Sequence, residues 1–194
     1  MPKQNTHPNL NAFTLERIWT DDNDLIKQYY LWQNEDEEKD KYCFTPVVNG
    51  KTESTDEGLQ SFRDVFIKHL KQGYYFILKK KETGEYLGYI YLINYNFRNY
   101  NAEVGFFFPK ANRNKGYGTI ILSLLLQTAF QEDFFWRLNK ISAETSSYNT
   151  PSIKLLEKHG FQREGTGREH YWFGEEKYDQ WLFSLLRSEY QTQS

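Results

Sequence analysis

The chain has 194 residues, a single cysteine (Cys43) and a formal net charge of −2; 39% of it is hydrophobic and 18% aromatic. That length fits one domain able to bury a core without disulfides, with Phe and Tyr supplying much of the core volume. The small net charge argues against general nucleic-acid binding, no apolar run reaches the ~18 residues that span a bilayer, and a lone thiol fits a reducing compartment, so a soluble cytoplasmic protein is expected.

Residues 1–11 are expected to form a flexible polar lead-in, followed by a domain over residues 12–190. The stretch "AFTLERIW" predicts a first strand from Ala12 to Trp19. "TDDNDLIKQYYLWQNE" opens with capping residues and predicts a helix that places Leu25, Tyr29 and Trp32 on one face. The acidic run with Asp36, Glu37 and Glu38 belongs to a loop, either simply solvated or able to attract a cationic amine. "LQSFRDVFIKHLKQG" predicts a second amphipathic helix, lined by Leu59, Phe62, Phe66 and Leu70 and stopped by Gly73. "YYFILKK" and "YLGYIYLINY" flank the turn "KETGE" as a hairpin, and "NAEVGFFF" is a further strand closed by Pro109. From Gly116 to about Phe130 the chain is apolar nearly all round, which predicts a central, covered helix. "KISAET" is a short strand, and "NTPSIKLLEKHG" is a helix with Pro151 in its first turn and Gly160 as its stop. "FQREGTGREHYWF" and "YDQWLFSLLRSEY" complete the order β-α-α-β-β-β-α-β-α-β-β, which suggests one α/β domain around a mixed sheet.

The most informative stretch is Arg113-Asn114-Lys115-Gly116-Tyr117-Gly118, between a strand and the apolar helix. The first N–H groups of a helix have no intrahelical partners, and the helix dipole adds positive charge there. Glycines let an anion approach the backbone, and Arg113 and Lys115 add charge, so the turn suits a phosphate. A Walker A loop is excluded because no Lys-Ser/Thr pair follows the glycines. A dinucleotide turn fails too: Ile121 stands where the third glycine belongs, and six elements precede the turn instead of one strand.

The turn matches Arg/Gln-x-x-Gly-x-Gly/Ala, the pyrophosphate loop of the GNAT superfamily of N-acetyltransferases. "AEVGFFF" resembles that superfamily's fourth strand, and "NTPSIKLLEKHGFQREG" resembles its Asn-x-x-Ser/Ala helix with the Gly-Phe and Glu-Gly that follow. "LERIWTDD" resembles its opening strand, and "REHYWFGEEKYDQWLFSLLRSEY" resembles the close of its ribosomal-protein-alanine (RimJ/RimL-type) branch. The resemblance implies a mixed, mostly antiparallel sheet splayed into a V, acetyl-CoA as co-substrate, and a primary amine as acceptor. The acceptor is either a protein N-terminus or a small molecule, and the enzyme a monomer or homodimer. It also implies that the pantetheine arm pairs with backbone at Phe106, Phe107 and Phe108. The phosphates then lie on Arg113 to Gly118 and Thr119, with Asn149 and Ser152 beside the arm. Two positions depart from the family pattern: the segment Lys110-Ala111-Asn112 is one residue long for the loop, and Leu156 stands where many members carry a tyrosine that protonates the leaving thiolate. A catalytically degenerate acetyl-CoA-binding module is the alternative.

Amines near neutral pH are mostly protonated, so transfer needs a proton acceptor and a group that meets the departing thiolate. The resemblance implies Glu103, working through water, as base, with Glu144 as its rival; a purely structural Glu103 would pair with Arg98 or Lys140. Ser152 is the candidate on the thiolate side, and Asn149 caps its helix. His7, His69 and His159 are expected to be structural or solvated, the latter two near helix ends that suit an imidazolium. His170 could line the acceptor pocket, and no Cys/His cluster has metal-ligand spacing.

Overall fold

A computed structural model describes residues 9–35, 56–130 and 138–190. Cys43, His7 and the acidic run Asp36 to Glu38 lie outside the described residues. The chain runs β1 (Phe13–Arg17), α1 (Asn23–Glu35), α2 (Asp56–Gln72), β2 (Tyr74–Lys80), β3 (Tyr86–Asn96) and β4 (Asn101–Phe107). It continues through α3 (Tyr117–Phe130), β5 (Lys140–Ser146), α4 (Thr150–Lys158), β6 (Gln162–Phe173) and β7 (Glu176–Leu186). The order matches the one expected from the pattern. The first strand is shorter than predicted, because Ala12 closes a 3-10 turn over Leu10–Ala12 and pairing with β2 covers only Phe13 to Arg17.

The strands form one seven-stranded sheet in the order β1-β2-β3-β4-β5-β7-β6. Every neighbouring pair is antiparallel except β4 and β5, which run parallel and pair only at Asn101↔Lys140, Ala102↔Ile141 and Glu103↔Ser142. Past Glu103 the two strands part: β4 keeps β3 on its other side, and β5 stays paired with β7 as far as Ser146. The sheet is therefore open through its middle, and Val104 to Phe107 present one edge of backbone to the gap.

Side chains alternate across the sheet and build a core on each face. One face carries Leu78, Ile90, Val104, Ile141, Ala143 and Phe183, covered by α3 and by Ile153 and Leu156 of α4. Ile121, Leu122, Leu125 and Leu126 of α3 are buried there, while Ser123, Leu124, Gln127 and Thr128 keep some exposure, so the helix is covered on one broad side rather than all round. The opposite face carries Tyr75, Ile77, Tyr89 and Phe107, covered by Leu25, Ile26, Tyr29 and Trp32 of α1 and by Phe66 and Leu70 of α2. The second core is aromatic: Tyr29 stacks on Tyr89 at 3.9 Å between ring centres, and Tyr89 on Phe107 at 5.3 Å. Glu103, Ser142 and Glu144 share this second face, since Val104 and Ala143 point to the first.

Candidate active site

The gap between β4 and β5 widens into a cleft of about 650 Å³, a size suited to one extended small molecule. It runs from the turn before α3, along β4, to Glu144 and Tyr91.

The turn is shaped by two residues in the left-handed region, Asn114 (φ 60°) and Gly116 (φ 82°). A Cβ on Gly116 would meet nothing within 4 Å, so its glycine serves the backbone angle. Gly118 is different. A Cβ there would lie 3.0 Å from a methyl of Leu155 on α4, so this glycine lets α4 pack tightly on the start of α3, a reason distinct from the phosphate approach expected from the motif. The first bonds of α3 run from Thr119 N–H and Ile120 N–H to Gly116 O, at 3.1 and 3.4 Å. The N–H groups of Tyr117 and Gly118 lie ahead of them at the positive end of the helix. The segment before the turn, whose length looked unusual, is a 3-10 turn over Lys110–Asn112, and Asn112 Nδ2 donates to Leu87 O at 2.9 Å. Arg113 Nε donates to Phe108 O at 3.0 Å, which ties the turn to the end of β4.

The remaining wall comes from α4 and β5. Asn149 is buried, caps α4 and accepts from Ser152 N–H at 3.3 Å, as expected. Ser152 lines the cleft one turn from Leu156, which is 1% exposed and belongs to the main core. The cleft thus gathers Phe106 to Phe108, Arg113, Asn114, Gly116 to Thr119, Asn149 and Ser152. Lys115, which is exposed, and Glu103, which is half-buried, are not part of its lining.

Tyr91, Lys154 and Lys158 also line the cleft, and sequence reasoning passed over them. Tyr91 faces Gly105 across the β3–β4 ladder, and a Cβ on Gly105 would fall 2.3 Å from its phenol. The glycine makes room for the ring, a pairing visible only once strand register is known. Lys154 and Lys158 sit four residues apart on α4, and Lys158 Nζ reaches Thr119 Oγ1 at 3.3 Å.

The carboxylates lie at the other end. Asn94 Nδ2 donates to Glu103 at 2.8 Å, and Lys140 pairs with Glu164 at 2.7 Å, so neither partner considered for a structural Glu103 holds it. Gln180 Nε2 donates to Glu144. Glu144 is accessible to solvent, yet partial desolvation and then the charge of Glu103 raise its carboxyl above the usual carboxylate range; His170 and the Gln180 hydrogen bond oppose that shift. His170 is exposed on β6 and outside the lining of the cleft, but close enough to act on Glu144. His159 takes the structural role of the two expected for it, though not as a cation at a helix end. Burial lowers its pKa, and its ring contacts Leu155 O (2.8 Å), Ser123 Oγ (3.1 Å) and Thr119 O (3.3 Å) between α3 and α4.

An edge of unpaired strand, outward helix amides, and Arg113, Lys154 and Lys158 with an open approach at Gly116 suit a long polyanionic thioester lying along β4. The chain matches the GNAT acetyltransferase domain over residues 13–162 and belongs to that family. It is an acyltransferase that uses acetyl-CoA as co-substrate. A protein of Bacillus licheniformis described as the uncharacterized N-acetyltransferase p20 is 29% identical over 177 residues, 91% of this chain and 94% of that one. The fold is shared with spermidine N-acetyltransferase from Vibrio cholerae in complex with CoA and spermine (TM-score 0.74, 20% identity, 93% of this chain and 98% of that one). A dodecameric structure of the Vibrio cholerae enzyme matches with TM-score 0.72 at 19% identity, over 95% of this chain and 99% of that one.

Proposed function

We propose that the protein transfers the acetyl group of acetyl-CoA directly to a cationic primary amine while both substrates are bound. The observation that carries this reading is the polarity of one continuous cleft. Its turn and α4 end is lined by Lys110, Arg113, Lys154 and Lys158, and its far end by the carboxylate of Glu144, with Glu103 beside it. An anionic donor and a cationic acceptor are thereby drawn to opposite ends.

In this reading Arg113, Asn114 and Lys115 to Thr119 hold the phosphates, and the backbone of Phe106 to Phe108 orders the pantetheine arm. Asn149 and Ser152 face the sulfur end, and acetyl-CoA supplies an acetyl group activated as a thioester. One of the two carboxylates at that end, Glu103 or Glu144, accepts the ammonium proton, the family resemblance implying Glu103 through water, and the Ser152 hydroxyl steadies the departing thiolate directly or through water. The acidic face favours a polyamine-like or other small amine. The resemblance of the closing strands to the RimJ/RimL-type branch favours a protein N-terminus as the second acceptor class. A cytoplasmic monomer or homodimer completes the reading. The test is acetyl transfer from acetyl-CoA to spermidine, an aminoglycoside and a peptide with a free N-terminal alanine, followed by thiol release. Binding of acetyl-CoA with no transfer to any amine would leave a degenerate binding module instead.

A further inference from the structure

We infer that Glu103 and Glu144 act as one proton acceptor, in which Glu144 takes the amine proton inside the cleft, Glu103 keeps it basic and Gln180 positions it. The inference rests on the acetyl-transfer reading and adds to it which carboxylate meets the amine and what holds that carboxylate.

Three placements carry it. Glu144 lines the cleft, whereas Glu103 stands just behind, where β4 and β5 begin to part. Glu103 is in register with Ser142, two residues before Glu144 on the same face, so the two carboxylates stand on either side of the point where the strands part, near enough for the charge of one to act on the other. The third placement is the far wall. The β6–β7 ladder shifts between Gly167 and Tyr171, and Asp179 accepts from Glu169 N–H at 2.9 Å to pin that bulge. Such a bulge re-aims side chains. Tyr171 comes to share a hydrogen bond with Gln180, whose amide also donates to Glu144. Glu144 is thus oriented from β7, with Glu103 approaching from β4 and His170 and Tyr171 from β6.

The chemistry balances without another reagent. An N–H bond of the ammonium breaks, its proton joins a Glu144 oxygen, and the freed lone pair forms the C–N bond as the C–S bond breaks. The thiolate leaves with the electron pair, the acylated nitrogen gives up its second proton through water to that thiolate, and Glu144 returns the first proton to water. Two nearby carboxylates resist both being ionised, which raises the basicity of the one that must accept a proton. Because the reaction needs ionised Glu144, its titration sets the acid limb of the rate profile. Loss of the Glu103 charge lowers that limb. Loss of the Gln180 donor, which stabilises ionised Glu144, raises it.

The experiment uses the full chain, spermidine and an N-terminal alanine peptide as amine probes, and single-turnover rates across pH. Glu144→Gln should slow transfer ~10²-fold or more and flatten the acid limb. Glu103→Gln should move the limb to lower pH, and Gln180→Met should move it to higher pH. Carbon-13 titration of glutamate carboxyls in the free protein, assigned by Glu144→Gln, should show the same opposite shifts whether or not an amine is turned over. Parental rate and acid limb in Glu144→Gln, with both lost in Glu103→Gln, would overturn the inference and leave Glu103 as sole base. Opposite carboxyl shifts with no acetyl transfer to either probe would count against the enzyme reading and the proton step together.

Discussion

At the scale of single residues, the glycines make separable demands. Gly116→Ala should cost roughly 1–2 kcal/mol, since φ 82° disfavours a Cβ even in open space, and should weaken acetyl-CoA binding through a reshaped turn. Gly118→Glu should lower both acetyl-CoA affinity and melting temperature, because Leu155 must move away; unchanged affinity by calorimetric titration would remove the phosphate assignment. Ser152→Ala should slow single turnover while leaving acetyl-CoA affinity within a few-fold, because the hydroxyl serves the transition state. A parental rate would reduce Ser152 to a helix-start residue. Leu156→Tyr is not expected to supply the missing acid: at 1% exposure, extra ring volume should cost about 1–3 kcal/mol in denaturant unfolding. The turn before α3 was legible because its signal is local, confined to six consecutive positions. The choice between Glu103 and Glu144 was not, because it depends on where two strands distant in sequence stop pairing.

Between elements, the junction of α3 and α4 holds the donor end of the cleft together, and His159 sits inside it. Desolvation lowers its pKa from the ordinary 6.5. The folded protein therefore resists protonating a ring that the unfolded chain protonates freely. Stability from this residue is present above the unfolded pKa, and is lost as pH falls below about 6.5 toward the folded value. Melting temperatures at pH 7.5 and 5.5 should differ more for the parent than for His159→Gln; an equal drop in both would place the acid sensitivity elsewhere. Helix and strand identities were legible here because α3 is apolar all round and α4 has Asn149, Pro151 and Gly160 as punctuation. That His159 would be enclosed was not, since its cover comes from Ser123 and Thr119 on another helix.

Across the whole molecule, β2, β3 and β4 carry side chains of both cores on one backbone, so neither core can melt alone. Tyr89→Ala should cost about 3–5 kcal/mol and lower a single transition seen alike by near- and far-ultraviolet circular dichroism. Two separated transitions would show that α1 and α2 unfold as a unit. The three-residue parallel contact between β4 and β5 has a kinetic meaning. The turn before α3 stands on the α3–α4 face and Glu144 on the other, so in the proposed reading donor and acceptor reach the gap from opposite sides of one sheet. Neither bars the other's doorway. Initial velocities measured against both substrates should give intersecting lines, and a dead-end analogue of either substrate should compete with its own substrate and be noncompetitive against the other, the pattern of a random-order encounter. A queue at a single entrance would instead make one substrate an uncompetitive partner of the other's dead-end analogue.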